Sequence, residues 1–157
     1  MTPVWAGGAS PELNRAIGEF VADRVWRDGR RFGEHTSMGV EQGGRIVAGV
    51  IFHNYDPWAG VIEISGASDT PRWLTRPVLY AMYAYPFDQL GCQMVVQRNS
   101  EHNARLNSIL RRYGFDEYRI RRGRGRNEDE LVFTLTDNQW RSNGFHKEHG
   151  NEQTESA

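Results

Sequence analysis

Three groups in the chain have the chemistry to handle a proton or an anion. His53, in His53-Asn54-Tyr55-Asp56, carries an imidazole that titrates near neutrality, so it can act as a base, bind an acceptor or simply close a strand. Glu63, between Ile62 and Ile64, places a carboxylate in an apolar strand pattern, where alternation also allows it the solvent face. Arg119, Arg121, Arg122, Arg124 and Arg126 crowd one segment while the acidic residues are spread elsewhere. That cluster suits a phosphate-bearing partner, an acidic peptide or a nucleic acid backbone, and equally a solvated hairpin.

The elements that must position these groups follow from local pattern. Ser10-Pro11 is a cap and first-turn proline, and Leu13, Ile17, Phe20, Val21 and Val25 continue a helical stripe, predicting a helix over 11–27. Strands are predicted over 36–41 and 45–53, joined by Gln42-Gly43-Gly44, with a third over 60–66 after the turn Asp56-Pro57-Trp58. Residues 69–76 read as a loop. Pro77 opens a second helix carrying Leu79, Met82, Tyr83 and Phe87, whose last turn Pro86 must kink or tighten. A short apolar strand over 92–97 follows. Leu106, Ile109, Leu110 and Tyr113 then fall at helical spacing, with Ser100 or Asn103 as the expected cap and Gly114-Phe115 as a Schellman stop. Strands over 117–122 and 130–135, linked by the Gly-Arg turn 123–127, complete the pattern. The β-α-β-α-β alternation in the middle implies a locally parallel pairing inside a mixed sheet.

This order of elements resembles the GNAT superfamily of acyl-CoA-dependent N-acyltransferases over about residues 10–140. The resemblance rests on Pro86-Phe87-Asp88-Gln89-Leu90-Gly91, on Asn99 to Phe115 ending in Gly-Phe, and on Arg121 to Trp140 with its Leu-Thr-x-x-x-Trp close. These segments are nearest the branch that acetylates ribosomal-protein N-termini. The implied fold class is α/β (α+β): a central mixed, mostly antiparallel, twisted sheet flanked by helices.

The resemblance implies acetyl-CoA (coenzyme A) as cofactor, its diphosphate held by amides before the second helix. The matching stretch, Pro71-Arg72-Trp73-Leu74-Thr75-Arg76, keeps a basic residue at Arg72 but has Pro71 and Trp73 where glycines are expected. Binding would therefore lean on Arg72, Arg76 and the amides from Leu74 and Thr75 onward, with Ser65, Asn99 and Asn103 as further cofactor contacts. The resemblance makes Glu63 the candidate base, with His53 as the second. The positions that serve the leaving sulfur in many family members hold Leu110 and Leu106, neither of which can donate a proton. Tyr113 lies about 300° around the helix from Leu110 and does not replace it by simple geometry. Transfer by proximity remains open.

The implied acceptor is an amine-bearing small molecule or a protein N-terminus. Trp58, Trp73, Tyr55, Tyr80 and Tyr83 can form an aromatic acceptor pocket or, at helical spacing, core. Two other readings stand beside the enzyme: a phage-type, Mom-like protein that modifies nucleic acid through Arg119, Arg121, Arg122, Arg124 and Arg126, and a GNAT-fold binding module without catalysis. Homodimers are common in the family.

A chain of 157 residues with 38% apolar content can bury one sizeable core, so one domain over 1–141 is expected. The polar stretch 142–157 is expected to be a disordered tail. Cys92 is the single cysteine, which excludes an internal disulfide and fits a reducing compartment. No stretch approaches the roughly 20 apolar residues of a membrane span, and 1–10 lacks the pattern of a signal peptide, so a cytoplasmic location is expected.

Overall fold

The computed structural model describes residues 1–143, and the expected tail beyond Asn143 lies outside them. Seven strands form one sheet: β1 (Thr2–Ala6), β2 (His35–Gln42), β3 (Arg45–Asp56), β4 (Val61–Ser68), β5 (Met94–Ser100), β6 (Asp116–Gly125) and β7 (Glu128–Thr136), ordered β1-β2-β3-β4-β5-β7-β6. All pairings are antiparallel except β4 with β5. The predicted parallel element is thus this one junction. The strand after the third helix, β6, is separated from β5 by β7.

One face of the sheet is covered by α1 (Pro11–Val25), the other by α2 (Arg76–Ala84), α3 (Ala104–Tyr113) and α4 (Asp137–Ser142). α1 lies close because Gly39 and Gly49 are register partners beneath it. A Cβ on Gly49 would stand 2.8 Å from Val21 Cγ2, and one on Gly39 would stand 3.1 Å from Ile17 Cδ1. The main core fills the opposite face, where Phe52, Ile64, Tyr83, Leu110, Phe133 and Trp140 are buried.

Helix ends follow local chemistry, with two departures from the expected caps. Ser10 does not cap α1: its hydroxyl accepts from the Gly7 amide at 3.4 Å. Neither Ser100 nor Asn103 caps α3 by side chain, for the Ser100 hydroxyl accepts instead from the His102 amide. The far end of α3 is the expected Schellman stop, with Gly114 at φ 110° and Phe115 N–H donating to Leu110 O at 3.1 Å. Pro86 has no amide to continue the α-helical ladder, so the chain widens into a π-helical turn, Tyr85–Gln89, closed by Leu90 N–H on Tyr85 O. The sequence pattern missed β1 and α4. β1 is five residues without clear alternation, and α4 is a six-residue helix with a capping box of Thr136 and Gln139.

Candidate active site

β4 and β5 pair over only three residues, Val61↔Met94, Ile62↔Val95 and Glu63↔Val96. Beyond them the strands diverge, and a wedge-shaped cleft of about 580 Å³ opens between them, lined by Ser65, Ala67, Leu74, Asn99, Asn103 and Leu106 among others. Asn99 Nδ2 is buried there without a hydrogen-bond partner. A buried donor left unsatisfied is costly, so this atom calls for an acceptor from a ligand. Together with the β4 edge from Ile64 to Ser68, free of β5, it suits an extended chain with amide groups.

At the apex of the wedge the β3–β4 register sets His53 directly opposite Glu63. His53 Nε2 lies 2.9 Å from Ser65 Oγ and 3.6 Å from Glu63 Oε2, and the imidazole tautomer decides which of the first pair donates. Phe32 packs edge-on against the ring at 5.0 Å. Burial pushes the His53 pKa below its ordinary value, assisted by His35 and opposed by Glu63. Glu63 is not on a solvent face: its side chain is 17% exposed, accepts from Asn54 Nδ2 at 3.2 Å, and stands 3.6 Å from Arg98 Nε.

His53 also lines a second cleft, of about 670 Å³, with Asn14, Arg15, Glu34, Thr36 and Tyr85. Ser65 faces the wedge and His53 faces this second cleft, so their contact is the partition between the two.

The remaining candidates are dispersed. Leu74 lines the wedge, whereas Arg72, Thr75 and Arg76 are not among its walls. Thr75 caps α2 by accepting from Val78 N–H, and Arg72 and Arg76 are exposed. Trp73 leans into the wedge, its ring tip 3.3 Å from where a Gly66 Cβ would stand. The aromatic pocket does not form: Trp58 is 99% exposed on the β3–β4 turn, while Tyr83 is fully buried. Of the arginine cluster, Arg119 pairs with Asp129 at 2.7 Å and with Glu101, and Arg124 pairs with Glu130 at 3.1 Å. The Arg122 amide, and after it the Arg119 guanidinium, hold the Asp129 carboxyl below its usual range.

Arg98 is the residue that sequence reasoning overlooked. Glu63 and Arg98 alternate out of phase with buried neighbours on β4 and β5 and so share a face, a signal legible only once those strands are known to be adjacent.

A sheet split by one short parallel junction, with helices on both faces, is the fold of the GNAT acetyltransferases. No protein-family model and no curated protein matches the sequence. Solved structures do match in fold. A GCN5-related N-acetyltransferase from Brucella melitensis aligns with TM-score 0.62 at 20% identity over 90% of this chain and 66% of its own. The spermidine N-acetyltransferase of Vibrio cholerae, solved as a dodecamer, gives TM-score 0.61 at 14% identity over 78% and 75%. A GNAT-family protein from Chromobacterium violaceum gives 0.59 at 23% identity over 69% and 62%. The first matches are covered over about 66% of their length. These neighbours single out neither the ribosomal-protein branch nor a phage origin, and they lend no support to nucleic-acid binding. Among the described residues, no helix is long and apolar enough to cross a membrane.

Proposed function

We propose that the chain is an N-acyltransferase that moves an acetyl or other acyl group directly from acyl-CoA to an amine. The observation that carries this reading is the Ser65–His53 partition between two clefts. One cleft suits an extended thioester chain and the other admits an acceptor. Kept neutral by burial, His53 has a lone pair with which to take the amine's proton, and the resulting imidazolium lies near the Glu63 carboxylate. Acyl-CoA would be held by Ser65, Asn99, Asn103 and the Leu74 wall, with its diphosphate toward the Arg72–Arg76 loop. The bound thioester supplies the activated acyl group, and the chain's own groups orient it and manage the proton.

The acceptor favoured is an amine-bearing small molecule, because the second cleft combines the Glu34 carboxylate with the Tyr85 hydroxyl and a neighbouring fold acetylates spermidine. A protein N-terminus is the alternative arm of the test. We take the protein to be cytoplasmic and to work as a single domain over 1–141, with sedimentation as the check on a homodimer. The deciding experiment follows thiol release from acetyl-CoA over a panel of polyamines, amino acids and peptides. Release that depends on the amine and is lost in His53→Gln is expected; no amine-dependent release from any acyl-CoA would overturn the reading.

A further inference from the structure

Apart from the imidazoles of His35 and His53, the charged side chains among the described walls of the second cleft are Arg15 and Glu34. Both are exposed, and neither forms an ion pair or a side-chain hydrogen bond among the described residues. Their places are fixed by their neighbours. Asn14, beside Arg15 on α1, donates from Nδ2 to His35 O at 2.8 Å and accepts at Oδ1 from Ser37 Oγ at 2.7 Å. α1 crosses so near that a Cβ on Gly18 would stand 2.7 Å from His35 Nε2. Glu34 precedes His35, the β2 residue that is the register partner of His53. A guanidinium and a carboxylate on clamped segments thus share one cleft with the His53 imidazole and an apolar wall of Ile62, Tyr85 and Leu90.

Charge decides between acceptors. A polyamine brings several ammonium groups, and beyond the one that Glu34 could hold, each would enter a cleft whose other charge is a guanidinium. A ligand with one carboxylate and one ammonium matches both side chains. With those two groups held, the proton-taking role of His53 requires a further amine. We propose that the acceptor is a diamino acid: Arg15 receives its carboxylate, Glu34 its α-ammonium, and the side-chain amine is acylated beside His53.

This inference rests on the acyltransferase reading and names its substrate class. The side-chain nitrogen bonds to the thioester carbonyl carbon as the carbon–sulfur bond breaks. The nitrogen's proton passes to His53 and then to water, and the departing thiolate takes up a proton from water, so amine and thioester give amide and thiol with no further reactant. Arg15 and Glu34 hold groups of the acceptor that do not react, which makes them specificity residues.

The test follows thiol release from acetyl-CoA by the full-length protein with matched acceptors. Ornithine and lysine carry all three groups, putrescine and cadaverine lack the carboxylate, and 5-aminovalerate and 6-aminohexanoate lack the α-amine. The better diamino acid is expected to exceed each of its two counterparts in kcat/KM by about tenfold, the scale of one hydrogen bond to a charged group. Arg15→Gln should abolish the advantage over the diamine and Arg15→Lys should keep most of it, whereas Glu34→Gln should abolish the advantage over the monoamine. Equal rates with diamino acid and diamine, a preference for peptides, or an Arg15→Gln loss that falls equally on diamino acid and diamine would overturn the proposal and leave the acyltransferase reading intact. No amine-dependent release from any acceptor would overturn that reading and this one together.

Discussion

At His53 the competition between burial and the neighbouring carboxylate has a measurable sign. Burial wins, so the imidazole titrates below 6.5. A base must be unprotonated, and the acid limb of kcat/KM is accordingly expected below pH 6.5, with a flat rate through neutrality. The same shift bears on stability. Below pH 6.5 the unfolded chain binds the proton more readily, so this contribution is fully present above that value and fades as pH falls through the native pKa. Titrating the His53 ring by NMR checks both statements. Glu63→Gln removes the charge that raises the His53 pKa, so the limb should move to still lower pH while kcat drops by less than the roughly 100-fold or more that loss of the base itself costs. At this scale the sequence revealed the types of the residues but not their meeting. His53 and Glu63 are ten positions apart, and only the register around the turn at 57–60, with Gly60 at φ 71°, makes them opposite.

Between elements, the closest approach is that of α1 to its glycine floor. Gly49→Ala would drive a Cβ to 2.8 Å from Val21 Cγ2 and 3.0 Å from Ile17 Cγ2, with the sheet unable to retreat. Overpacking of this kind costs about 1–3 kcal/mol, to be read as a lower urea midpoint at unchanged m. Both strands were visible in the sequence, and a glycine inside a strand signals a close neighbour. Which neighbour depends on the helix crossing, which no local pattern encodes. The same limit explains the α3 caps: Asn103 and Ser100 have the right types, but the Ser100 hydroxyl is already taken by the His102 amide in its own turn. By contrast Gly114-Phe115 was fully legible, because a left-handed stop depends on two adjacent residues and nothing distant.

For the molecule as a whole, the proposed ligand should report on folding. A ligand that binds only the native state stabilises by about 2.7 kcal/mol at a hundred times its Kd, so acetyl-CoA at that level should raise Tm by roughly 5–10 °C at this chain length. Failure of Tm to move at millimolar acetyl-CoA would count against the wedge as its site.

The three-residue junction between β4 and β5 carries a mechanical consequence as well. Every strand before Ala84 lies on one side of it and every strand after Gly91 lies on the other, so chain order and spatial order divide at the same seam. The sheet is two halves held by a short zipper, and anything lying in the wedge touches both. Such a ligand works as a latch. Hydrogen exchange at the amides of Ile64 to Ser68 should slow on adding coenzyme A, while exchange in β2, far from the seam, should stay as it was.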